Sequence, residues 1–326
     1  MPQVRAVERR SSPAVFPAGG GVLCNVLTES ASPVSRIERR IAVFSYFRTR
    51  PRPARPREPG RPLNETMHDN RPQLLVSVRN AVEARVAVQA GVDLLDVKEP
   101  ARGALGMADA AVMTDVLAVA SSARIRVDVS AALGDAPDWL APRGRSAPVP
   151  LLPDGLAFIK LGTARLAPDD AWVHAWRAAL QHVLLPLQDR PARPPRRVAV
   201  AFGDWRAAQA PPPAAVIAAA SEMGCSGILI DTHVKDGTSL LDSMTHSELA
   251  ACIAAAHRQH LTLALAGSLK PGDVARLIEL QPDIIGVRSA ACHNGRRDAP
   301  IDAAAVRCLT DLFRSAHRAP PCGSPR

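Results

Sequence analysis

The chain has 326 residues, 47% of them apolar and 22% charged, with a formal net charge of +9. This mixture excludes collagen, coiled coil and full-length disorder, and the most apolar runs, 111–120 and 261–269, fall short of the ~18–20 residues of a membrane span. The charge is uneven: residues 1–70 carry twelve Arg and no Lys against six acidic residues, whereas 71–326 carry 28 basic and 25 acidic residues. A basic body for gripping nucleic acid is therefore not indicated.

Residues 1–72 show no sustained helix or strand period, and 48–62 read RTRPRPARPREPGRP. Such a Pro/Arg tract cannot bury apolar surface, so 1–72 is predicted as a disordered extension. A tail for nucleic acid or acidic partners, an organelle presequence and a non-essential extension are the competing readings; Glu8, Glu29 and Glu38 count against the presequence. Gly19 to Gly21 follow no strand and open no helix, so a phosphate loop is not expected there. Met67 stands just before the first convincing strand and is read as a candidate translation start.

From Gln73 short runs rich in Val, Ile and Leu alternate with amphipathic stretches. Strands are predicted at 73–78, 92–97, 125–130, 156–161, 197–202, 227–231, 262–266 and 283–288. Helices are predicted at 80–90, 109–122, 168–185, 213–223, 246–259, 271–280 and 302–317. The Pro-rich connection 136–154 has room for a short helix only. Near-continuous apolar strands separated by helices imply a parallel sheet covered on both faces. Eight such units over 73–317 fit a closed (β/α)8 TIM-type barrel, with 318–326 as a disordered tail. A doubly wound open sheet is the rival, but no G-x-G-x-x-G follows the first strand.

Of 40 cationic residues only four are Lys: Lys98, Lys160, Lys235 and Lys270. Arg serves wherever a solvated charge is wanted but cannot act as a nucleophilic amine. Lys98 and Lys160 end the second and fourth strands, and Lys235 follows Asp231 at the end of the sixth. Lys270 lies further out. Barrel chemistry sits at the C-terminal ends of strands, and Asp96 shares a face with Lys98 because side chains alternate. Burial and neighbouring cations lower a lysine pKa, which is how Schiff-base lysines are activated. Ion pairing with neighbouring acids is the plain alternative. Gly267 and Ser268 after the seventh strand, and Gly286 and Arg288 at the eighth, suit a phosphate cradle. Ser130, Gly134 and Asp135 add polar groups after the third strand, and Asp204 does so after the fifth.

Six cysteines show no C-x-x-C spacing. They read as thiols in a reducing, cytoplasmic setting. His257 and His260 lack the companions a zinc site needs, so no metal is expected.

The stretches AGVDLLDVKEPARGALG (90–106), VSAALGD (129–135), FIKLG (158–162), GCSGILIDTHVKDG (224–237), LALAGSLK (263–270) and DIIGVRSAAC (283–292) together resemble one family. It is the (5-formylfuran-3-yl)methyl phosphate synthases, also called 4-(hydroxymethyl)-2-furancarboxaldehyde-phosphate synthases. The resemblance spans about 73–317; the Pro-rich third connection departs from it. It implies a lyase that condenses two glyceraldehyde 3-phosphates into a phosphorylated furan aldehyde with loss of phosphate and water, for methanofuran biosynthesis. It implies Lys98 as the Schiff-base lysine, Lys160 as proton acceptor, and Asp96, Asp231 and Lys235 as supporting ionisable groups, with no cofactor. The partner is thus a small phosphorylated aldehyde, with no membrane and no nucleic acid; homo-oligomerisation stays open. Two rivals remain: another Schiff-base barrel aldolase acting on phosphorylated sugars, and an Arg-tail binding protein with a non-catalytic barrel.

Overall fold

A computed structural model describes residues 71–141, 151–166, 171–187 and 194–318. The predicted N-terminal extension, apart from its last two residues, and the predicted C-terminal tail, apart from Arg318, lie outside the described residues.

Eight parallel strands close a barrel in sequence order, with the eighth paired to the first. In chain order the elements are β1 (Gln73–Val78), α1 (Ala81–Ala90), β2 (Leu94–Val97), α2 (Ala110–Ser121), β3 (Asp128–Asp135), α3 (Ala136–Leu140), β4 (Phe158–Gly162), α4 (Trp172–Leu184), β5 (Arg196–Phe202), α5 (Pro213–Ala220), β6 (Gly227–Asp231), α6 (Leu240–Ser243), α7 (His246–Arg258), β7 (Thr262–Leu265), α8 (Pro271–Ile278), β8 (Ile284–Val287) and α9 (Ala303–Arg318). Among the described residues no helix is long and apolar enough to cross a membrane.

Alternation sorts the strand residues into two sets. Leu74, Val76, Leu95, Val97, Ile159 and Leu161 face outward and pack with the helices in the main core. Leu75, Leu94 and Ile284, with Phe158 and Ala264 against them, plug the interior near the N-terminal ends of the strands. One step further along the same faces the interior turns polar, at Ser77, Asp96, Ser130 and Lys160. The fold thus seals the floor with apolar side chains and opens the C-terminal end to ionisable ones.

The third strand departs from its predicted bounds. Ile125 is 81% exposed, and the strand runs from Asp128 to Asp135, so Ser130 lies within it rather than after it. Its register against β4 shifts between Ala132 and Asp135. This irregularity carries the strand through Gly134, whose φ of 80° broke the apolar pattern. Among its described residues the third connection carries the short helix α3.

Candidate active site

Asp96 is the hub of the barrel mouth. It is 1% exposed and accepts hydrogen bonds from Ser77 Oγ on β1 (3.0 Å) and Ser130 Oγ on β3 (2.9 Å). Lys160 Nζ on β4 lies 2.5 Å from its Oδ1. Burial alone would raise the Asp96 pKa, but Lys160 and Lys98 outweigh it and hold the carboxyl below its usual range. A second pair sits on the β6 side. Lys235 Nζ donates to Asp231 Oδ1 at 2.7 Å and to Thr232 Oγ1 at 3.0 Å. Here too burial pushes the carboxyl up, and Lys235 and Lys98 bring it down to about 2. Both carboxylates therefore remain ionised at neutral pH.

Lys98 differs from its neighbours. It is 7% exposed, yet among the described residues no carboxylate lies at ion-pair distance from it. Its Nζ makes one long hydrogen bond, 3.4 Å to the Ala104 carbonyl. Burial lowers its pKa to about 8; Asp231 and Asp96 resist, while Lys235 and Lys160 add to the fall. A sizeable fraction of this amine is neutral near physiological pH, which nucleophilic attack on a carbonyl requires.

The loop after β2 positions that carbonyl. Glu99 N donates to Gly106 O at 2.8 Å and closes the loop on itself. A Cβ at Gly106 would meet Glu99 O at 2.1 Å, so the closure requires glycine there. Gly162, at the end of β4, is required in the same sense: a Cβ would fall 1.9 Å from Asp135 Oδ1. Asp135 uses that oxygen to accept the Ala164 amide at 3.2 Å and so fixes the β4 exit. Asp204, expected among the polar groups of the mouth, instead accepts the His233 and Val234 amides at 2.7 and 2.8 Å. It anchors the loop that carries Lys235.

Two residues of the expected phosphate cradle are engaged by the protein itself. The Arg288 guanidinium is turned inward, where all its N–H donors find protein acceptors. These are the Glu83 carboxylate (2.5 and 3.1 Å), the carbonyls of Ser77 (3.0 Å) and Ala299 (2.9 Å), and, from Nε, that of Arg297 (3.1 Å). It has no fork left for a phosphate, because Glu83 on α1 has taken it. Ser130 likewise spends its hydroxyl on Asp96. Gly267, Ser268 and Gly286 do line the cavity, together with Lys98, Asp231 and Lys235.

Three participants are not anticipated from sequence. Ser77 had a signal, a polar residue at an inward position of an apolar strand. Glu83 and Arg297 had none, since one is an ordinary first-turn acid of a helix and the other one Arg among many. Arg297 lies between β8 and α9 and lines the cavity. Among the described residues no group of three or more His, Cys, Asp or Glu is placed to hold a metal.

The mouth thus combines an unpaired buried amine, two lysine–carboxylate pairs and a glycine-lined wall. Comparison with known proteins identifies the family. The family model described as 4-HFC-P synthase matches residues 74–310. The (5-formylfuran-3-yl)methyl phosphate synthase of Methanopyrus kandleri is 33% identical over 235 residues, 70% of this chain and 92% of that one. The enzyme of the same name from Methanococcus maripaludis is 31% identical over 230 residues, 69% of this chain and 92% of its own. A relative from Methylorubrum extorquens is 36% identical over 252 residues, 76% of this chain and 94% of its own. With a family model covering the barrel and relatives matched over nearly their full length, the chain belongs to the 4-HFC-P synthase family of lyases.

Proposed function

We propose that the protein joins two molecules of glyceraldehyde 3-phosphate into 4-(hydroxymethyl)-2-furancarboxaldehyde phosphate, with Lys98 as the Schiff-base lysine. Neutral Lys98 adds to the aldehyde carbon and water leaves, giving an iminium. The iminium acidifies the adjacent C–H bond. Its proton passes toward the Asp96–Lys160 pair, and the electron pair left behind expels phosphate from the next carbon or attacks the second aldehyde. Ring closure and further loss of water form the aromatic furan, and hydrolysis of the imine releases the aldehyde and restores the Lys98 amine. Each proton transfer needs a group within hydrogen-bond reach. Asp96 with Lys160, and Asp231 with Lys235, supply such groups on two sides of Lys98.

The observation that carries the reading is the isolation of Lys98: a buried amine at about 8, flanked by two lysines that each have their own carboxylate. An aldolase acting on phosphorylated sugars would share the amine but release an open-chain product. Incubation with glyceraldehyde 3-phosphate alone, followed by product absorbance and mass, separates the two. A conjugated furan aldehyde phosphate is expected, and an open-chain sugar phosphate contradicts the assignment.

A further inference from the structure

Among the described residues five cations line the mouth: Lys98, Lys160, Lys235, Arg288 and Arg297. Three are neutralised by a carboxylate at ion-pair distance, Lys160 by Asp96, Lys235 by Asp231 and Arg288 by Glu83. Lys98 can shed its charge by losing a proton. Arg297 can do neither, because a guanidinium does not deprotonate in proteins and no carboxylate among the described residues stands at ion-pair distance. It is half-buried, and its one side-chain hydrogen bond among those residues runs from Nη2 to the Gly103 carbonyl at 2.8 Å. A fixed, partly desolvated charge facing the same cavity as Gly267 and Ser268 suits an anionic ligand.

We propose that Arg297 recognises the phosphate of the aldehyde substrate and makes the site selective for phosphorylated over plain aldehydes. This assignment rests on the reaction given above. Arg288 is then a positioning residue. Its Nε holds the Arg297 carbonyl at 3.1 Å, so the buried Arg288–Glu83 pair sets the backbone from which Arg297 extends. The acceptor of Arg297, Gly103, adjoins Ala104, the acceptor of Lys98. One short loop therefore ties the anion-binding group to the amine.

The test uses inorganic phosphate in calorimetric titrations of the wild type, Arg297→Gln, Arg297→Lys and Arg296→Ala. Gln keeps a donor for Gly103 without the charge, and Arg296 is an exposed residue paired with Asp298. Phosphate affinity is expected to fall about ten-fold or more in Arg297→Gln, to recover in part in Arg297→Lys and to be unchanged in Arg296→Ala. Borohydride trapping at Lys98 should favour glyceraldehyde 3-phosphate over glyceraldehyde in the wild type and lose that preference in Arg297→Gln. Wild-type phosphate affinity and preference in Arg297→Gln would overturn the proposal while leaving the synthase assignment intact, as would no phosphate binding by the wild type. If phosphate binding depends on Arg297 but the wild type yields no furan product, the anion site stands and the synthase reading falls.

Discussion

Lys160 sits 2.5 Å from Asp96, and this pairing separates two lysines that the sequence presents as near equals. Asp96, two residues before Lys98, is occupied by another strand's amine. Lys98 is left to the low dielectric of the mouth, where its ammonium form is disfavoured. Lys160 keeps a counter-ion and has a short route for a proton to Asp96. The two lysines thus divide the work through packing rather than through any difference in residue type.

Breaking that pair should show in both chemistry and stability. Lys160→Met leaves the Asp96 carboxyl buried without its counter-ion, with the Ser77 and Ser130 hydroxyls as donors. A loss of about 3–5 kcal/mol is expected, read as a lowered urea midpoint. Lys160→Arg should be milder on stability but should reduce turnover roughly 10²–10⁴-fold, because Arg cannot exchange the proton. An Arg variant with wild-type turnover would remove Lys160 from proton transfer.

Replacing Lys98 should have the opposite effect on stability. Its pKa of about 8 in the fold lies below the ~10.4 of an unfolded lysine. Below pH 8 both states carry the proton and the full cost of burying the ammonium applies. Between about 8 and 10.4 the unfolded state holds more protons, so stability rises with pH. Lys98→Met should therefore be inactive yet more stable than wild type at pH 7, by about 1–3 kcal/mol. The gain should shrink as pH passes from 8 to 10. Thermal melts across that range check the sign; a destabilised Lys98→Met at pH 7 would mean the ammonium is well paired.

Arg288→Ala is expected to act on the fold before it acts on binding. It strands the Glu83 carboxylate, which burial pushes up and Arg288 pulls down, and it frees the Ser77, Arg297 and Ala299 carbonyls. Arg79 still pairs with Glu83 at 2.9 Å, so a loss of about 2–4 kcal/mol is expected. Equilibrium unfolding measures it. An unchanged midpoint together with a raised KM would return Arg288 to direct phosphate binding.

The barrel was legible because eight apolar strands alternate with helices, and a parallel sheet buried on both faces leaves that imprint. The bounds of β3 were not, since its extension past Ser130 depends on a bulge against β4 that no local pattern encodes. The lysines stood out because the chain otherwise uses Arg. That same abundance hid Arg297, and it made Arg288 look available when Glu83, 205 positions away in sequence, already held it. Strand-end residues could be read from alternation. Which of them had already spent their charges on each other is a matter of three-dimensional pairing, and neither spacing nor residue type reports it.

Adduct formation should follow the Lys98 titration. Only the neutral amine attacks, so the rate of borohydride-trapped adduct should rise about ten-fold per pH unit below pH 8 and level off above it. Asp231, held at about 2, stays ionised throughout and contributes no second step. Rapid-quench trapping from pH 6 to 9.5 reads the profile. A flat profile would mean that amine deprotonation does not limit the attack.

The most direct test is borohydride reduction in the presence of glyceraldehyde 3-phosphate, followed by peptide mass spectrometry on wild type, Lys98→Arg and Lys160→Arg. A reduced adduct is expected on the Lys98 peptide of wild type and of Lys160→Arg, and none in Lys98→Arg, which should be as inactive as Lys98→Ala though folded. Turnover by wild type with no adduct on any lysine, or Lys98→Arg retaining most of its activity, would contradict the Schiff-base account and reduce the lysines to electrostatic roles.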